Sequence, residues 1–170
     1  FTVGKGLGLG YFSVSSNIKI TDTNWHHIEG VANRRGYATL YIDGVNVGST
    51  DVSSSIGYLT APSGMAIGRN NTGSFYLNGS TDDVRVYNYA RAPKQITEDM
   101  NAGHPAPGSP VGSPVAYWKM DEGNGASSQD WSQNNQDLTL VATPAWTNSG
   151  KFGRAVDFEK DSSQYAWTAD

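Results

Sequence analysis

"FYLNGSTDDVRVYNYARAPKQI", residues 75–96, sets the pattern that the rest of the chain repeats. Within it Ser80–Tyr87 alternates. Val84 and Val86 fall on one face of an extended chain, and Asp83, Arg85 and Tyr87 on the other, as in a half-buried strand. Pro93 then opens "PKQITEDM" (93–100), which reads as a helix because Pro suits a first helical turn and carboxylates come early in it. A strand closed off by a short helix is the local signature, and it is the only helical signal in the chain.

Outward from this stretch, short alternating segments recur between turn residues, which is how a sandwich or barrel is written. Gly10–Val14 and Asn17–Ile20 read as a hairpin pair. Trp25–Ala32 and Ala38–Ile42 are strands. Asp43-Gly44 is a tight-turn signal, with Val45–Ser49 pairing back, and Ser63–Arg69 is a further strand. Beyond the helix, "GHPAPGSPVGSP" (103–114) reads as a semi-extended linker, since Pro fixes φ and Gly and Ser resist packing. Strands resume at Val115–Met120, Gln136–Val141, Arg154–Phe158 and Gln164–Trp167. The chain is expected to be all-β: an antiparallel β-sandwich.

Composition narrows the function. The 170 residues are 37% hydrophobic and 11% aromatic, enough to build a core. A net charge of -4 with no basic block argues against nucleic acid as a partner. No apolar run reaches the length of a membrane helix, so membrane insertion is not expected, and no segment reads as a signal peptide. The sequence starts at Phe1 rather than Met, which suggests a processed or excised piece. Cysteine is absent, which excludes zinc-thiolate sites, thiol nucleophiles and disulfides. Low charge with abundant Gly, Ser, Thr and Asn fits a secreted all-β protein. Asn70 and Asn78 open glycosylation sequons, a pattern common by chance in Asn-rich chains.

Five stretches together carry a family resemblance: "NWHHIEGVA" (24–32), "LYIDGVNVGS" (40–49), "AIGRN" (66–70), residues 75–96, and the pair "VAYWKMDEGNGASSQDWS" (115–132) and "AWTNSGKFGRAVDFEKDSSQYAW" (145–167). They resemble the laminin-G-like, concanavalin A-like jelly-roll superfamily. Within 75–96 the matching positions are Phe75, Gly79, Asp82, Asp83, Tyr87 and Asn88. The resemblance implies a jelly-roll sandwich, but with its halves in reverse order. Residues 1–103 resemble the C-terminal part of such a domain, 104–114 the linker, and 115–170 the N-terminal part of the next, with a central strand missing. Three arrangements follow: a repeat unit cut out of register with its domains, a protomer completed by a neighbour's strands, or a permuted single domain. The first two leave open sheet edges and so imply assembly.

The chemistry is sparse. "DFEKDSS" (157–163) places Asp157, Glu159 and Asp161 at alternate positions, as glycosidase carboxylates sit on a strand. The resemblance instead turns Val156 and Phe158 inward and leaves Asp157 and Glu159 to solvent, and the stretch is not the family's Glu-x-Asp-x-Glu motif. His26 and His27 would face opposite sides of a strand, one buried or half-buried and the other at the surface, and so could not share a metal. "GKGLGLG" (4–10) has no helix after it and reads as a hairpin approach. No Gly-x-Ser-x-Gly motif appears.

Calcium is the most credible cofactor, because it takes oxygen donors from rim loops. The Gly-rich loop 120–135 supplies Asp121, Glu122, Asn124, Asp130 and Asn135, and Asp82 with Asp83 could add to it. The resemblance implies structural calcium in many relatives. The alternative is a solvated loop in which Asp130 makes turn hydrogen bonds. For sugar, Trp131, Trp146, Tyr58 and Tyr11 lie near loops as stacking platforms, whereas Trp25, Trp118 and Trp167 read as core. The expected function is a non-enzymatic, extracellular or cell-surface structural or adhesive protein that partners copies of itself or adjacent repeats. The alternative is a carbohydrate-binding module with glycan partners.

Overall fold

The computed structural model describes residues 2–4, 11–54, 64–70, 73–101 and 114–169, with the backbone alone at 2–4, Tyr11 and Phe12. Tyr58 lies outside them, as does the side chain of Tyr11. The chain forms two compact units, residues 1–62 with 89–103 and residues 63–88 with 104–170.

In the first unit, β1 (Thr2–Gly4) pairs with β2 (Tyr11–Ser13), and β3 (Ile28–Ala32), β4 (Tyr37–Ile42) and β5 (Val45–Asp51) form an antiparallel meander. Residues 5–10 of the glycine-rich stretch lie outside the described residues, and β2 pairs with β1. Its partner differs from the expected one, because Asn17–Ile20 forms no strand and β2 pairs backwards. Asp43 and Gly44 both take positive φ, 51° and 76°, as the two central residues of a twist-matched hairpin turn must. A bulge after Leu40 leaves Val47 as the extra residue of β5. Val14, Ala38, Leu40 and Val52 make the core, with Val47 against it.

α1 (Pro93–Asn101) is the only α-helix among the described residues. Its first turn carries no acid; Glu98 and Asp99 come later. The side chain of Gln95 takes over the capping work, accepting the backbone N–H of Ala92 at 2.9 Å.

The second unit holds β6 (Met65–Ile67), β7 (Gly79–Thr81), β8 (Val84–Val86), β9 (Ala116–Trp118), β10 (Ser127–Ser128), β11 (Leu138–Val141), β12 (Ala145–Thr147), β13 (Ala155–Phe158) and β14 (Tyr165–Thr168). They form antiparallel sheets in the orders β10-β11-β14-β6, β12-β13-β7 and β8-β9. Alternation delivers one core from all three. Leu138 and Leu140 point in while Thr139 points out, and Trp118, Met120, Val156, Phe158 and Ala166 join them. Val84 and Val86 pack on the same cluster, as their spacing predicts. Trp118 and Phe158 are 1% and 0% exposed. Each such burial stabilises the fold by about 1.5–3 kcal/mol over the exposed side chain.

Two expectations change. Ser80–Tyr87 is not one strand. Asp83 takes φ 54°, and that left-handed residue turns the chain between β7, paired with β13, and β8, paired with β9. The unit boundary also ignores the 104–114 linker: β6, β7 and β8 all pair with strands beyond it. Those three pairs give residues 63–88 and 115–168 backbone partners that neither segment has alone.

Candidate functional site

The five carboxylates singled out in the sequence all lie in the second unit, where they serve separate pieces of backbone. Asp130 is 3% exposed and organises the turn after β10. One oxygen accepts the N–H groups of Tyr117 and Ser132 at 2.9 and 2.8 Å, and the other accepts Ser132 Oγ and the Gln136 N–H at 2.7 and 2.9 Å. Burial pushes its pKa up, yet the Gln136, Tyr117 and Ser132 donors outweigh burial and hold it below the usual carboxylate value. With both oxygens taken up by the protein's own donors, Asp130 is the turn residue of the alternative reading and offers nothing to a metal.

Glu122 accepts the Gln129 N–H at 2.8 Å through Oε1, while its Oε2 is buried with no partner. Asp83 bridges to Arg85 at 2.5 Å, with both side chains almost fully buried. The remaining two carboxylates do come together. Asp82 accepts the Phe152 N–H at 2.7 Å, and Asp121 accepts the Arg154 N–H at 2.8 Å, so both grip the same loop. Gly153 between them has φ 91°, and a Cβ there would stand 2.5 Å from Asp121 Oδ1. Only glycine lets the loop settle this close.

Asp82 is the unusual member. Its Oδ1 is buried with no partner, and burial, with the charges of Asp83 and Asp121 adding to it, pushes its pKa up to about 6. A buried oxygen without a donor beside a second carboxylate is the kind of group a hard cation takes up. Among the described residues no three His, Cys, Asp or Glu side chains form a metal-holding group. Of the five, Asp82 and Asp121 are the pair that could offer oxygens to calcium, and Asp130 has none to spare.

The aromatic candidates also separate. Trp146 packs on the core and donates Nε1–H to the Gly125 carbonyl at 3.0 Å, so it anchors the 120–135 loop. Trp131 is 43% exposed. Its N–H is fixed on the Tyr117 carbonyl, and Lys119 Nζ sits 3.9 Å from its ring centroid. Trp118 is core, whereas Trp25 and Trp167 are half-buried.

"DFEKDSS" holds no catalytic face. β13 ends at Phe158, and Lys160–Ser162 form a 3-10 turn, so Asp161 leaves the strand. Asp157 is tied to the Ser80 hydroxyl at 2.8 Å.

One arrangement escaped the sequence reading. His26 and His27 precede β3 and are both half-buried, 19% and 27% exposed at the side chain. His26 lies between two carboxylates, Nδ1 at 2.7 Å from Asp43 Oδ2 and Nε2 at 2.9 Å from Asp22 Oδ1. Both ring nitrogens face acceptors, which suits the doubly protonated ring. Its hydrogen bonds to Asp43 and then to Asp22 raise its pKa above the ordinary value. Asp43 reaches it across the β3–β4 pair, where its N–H bonds the His27 carbonyl at 2.8 Å and its carboxylate accepts the His27 N–H at 2.9 Å; the Asp-Gly signal was legible, its second duty was not.

Among the described residues no helix is long and apolar enough to cross a membrane. No curated protein and no solved structure matches the chain. Residues 1–97, more than half the sequence, match the laminin-G-like family described as the concanavalin A-like lectin/glucanases superfamily. The antiparallel sheets of both units agree with that match, and the protein belongs to this family.

Proposed function

We propose that this protein is a non-catalytic, extracellular structural module that assembles with copies of itself or with adjacent repeats by sharing strands. The observation that carries this reading is the seam in the second unit, where β6, β7 and β8 pair with β14, β13 and β9 across the Pro-rich stretch. Contacts of this kind made within one chain are equally available between chains, the basis of strand exchange. The first unit adds support. Ile28 and Val45, about 60% exposed, share a sheet face with Leu40, an apolar surface wider than the small core beneath it. Calcium bound at Asp82 and Asp121 would neutralise the like charges beside the seam strand β7 and so support assembly.

The absence of native cysteine makes the test direct. Ser80 and Asp157 face each other across β7 and β13. The double variant Ser80→Cys, Asp157→Cys, oxidised at rising protein concentration, should give disulfide-linked ladders on non-reducing gels. A bridge formed only within single chains at every concentration would refute strand sharing. A second reading, a carbohydrate-binding module, is favoured by the exposed Trp131 ring with Lys119 above it. Its test is a neutral glycan array read with wild type and Trp131→Ala.

A further inference from the structure

We propose that Arg69, Tyr165 and Tyr76 form a binding site for the carboxylate of an acidic sugar. Arg69 follows β6, and Tyr165 opens the neighbouring strand β14. The guanidinium carbon lies 3.8 Å from the Tyr165 ring centroid, and Tyr76 stands 6.5 Å from that ring at 51°. The chain carries 16 acidic residues, and its other half-buried arginines use them: Arg85 bridges to Asp83 and Arg91 to Asp99. Arg69 has no carboxylate partner among the described residues, and its Nε is buried with no hydrogen bond.

A guanidinium held over an aromatic ring with its Nε out of water is a pre-set fork for a planar, two-oxygen anion. Its edge is kept open by Gly73, where a Cβ would stand 3.1 Å from Arg69 Nη1. Beside it, the Asn70 N–H bonds the Ser74 carbonyl at 3.1 Å and the Asn70 side chain accepts the Ser74 N–H at 2.7 Å. Cation and aromatic neighbours together suit a pyranose that bears a carboxylate, with the acid on Arg69 and the sugar ring against Tyr76. The choice of a sugar as the source of the carboxylate rests on the carbohydrate reading above, although this site is distinct from Trp131.

The test is titration with an oligogalacturonide and with its fully methyl-esterified, neutral form, followed by calorimetry and by NMR of the Tyr165 and Tyr76 ring protons. The acidic form should bind wild type and shift those protons, and the ester should not bind at this site. Arg69→Gln should weaken binding about tenfold or more. Arg69→Lys, which keeps the charge but loses the fork, should also weaken it, and Arg34→Gln, at an exposed arginine of the first unit, should leave it unchanged. If Arg69→Gln does not fold, the Lys variant and the wild-type ring shifts still decide the matter. Equal binding of acid and ester, or acid binding that Arg69 variants leave intact, overturns this site while sparing the carbohydrate reading. An acidic peptide that binds with the same Arg69 dependence overturns the sugar as the source, and failure of both acidic and neutral glycans overturns site and reading together.

Discussion

Asp82→Asn is expected to stabilise this protein at neutral pH. Asp82 has a pKa of about 6 in the folded chain against an ordinary value of 3.8. The native state therefore holds the proton more tightly than the unfolded chain does. Its contribution to folding is fully present below about pH 4, fades as pH rises through about 6, and is absent at neutral pH. A shift of that size is worth about 3 kcal/mol if fully shielded, and screening by water at a half-buried group reduces it to about 1.5 kcal/mol. Asn keeps an oxygen for the Phe152 N–H, removes the charge that Asp83 and Asp121 oppose, and gives the orphaned position a donor. Thermal melts of both proteins, metal-free, should differ by about 3–6 °C near neutrality and converge near pH 4. A variant that melts at or below wild type at neutral pH, or by the same margin at both pH values, refutes the reasoning. Repeating the neutral melts with calcium tests the cation proposal. Wild type should gain stability and Asp82→Asn should not; no gain in wild type removes calcium from this site, and equal gains place it elsewhere.

Asp130→Ala strips acceptors from three backbone N–H groups at once and should cost about 3 kcal/mol or more in urea unfolding, with Asp130→Asn costing less; a loss under about 0.5 kcal/mol would contradict the turn role. Phe158→Ala empties a position with no exposure and should cost about 3–5 kcal/mol by the same measurement. His26, followed by NMR, should titrate above its ordinary value of 6.5, and Asp43→Asn should bring it back down. The stability His26 supplies should be whole below that ordinary value and lost as pH rises through the raised one.

The inward faces of Val156 and Phe158 were implied by the family resemblance. The sandwich class, the Asp43-Gly44 turn, the helix at Pro93, and the inward faces of Val84 and Val86 could all be read from the sequence. Each is written locally, in side-chain alternation or in a backbone requirement of one or two residues. What the tertiary structure alone decided is where strands end and whom they join. Asp83 broke a clean alternation because a single left-handed residue sent Val84–Val86 to Ala116–Trp118, while Gly79–Thr81 went to Ala155–Phe158. Composition put Asp121, Glu122 and Asp130 in one loop and added Asp82 and Asp83 from elsewhere, but backbone N–H groups claimed both oxygens of Asp130, while Asp82 was left with an orphaned one. Likewise nothing in the spacing of Arg69, Tyr76 and Tyr165 hinted that they meet, because the pairing of β6 with β14 spans about a hundred residues of chain. Side-chain periodicity is a property of neighbours along the chain, whereas the burial of a charge and the choice of its partner depend on which distant backbone groups reach it first.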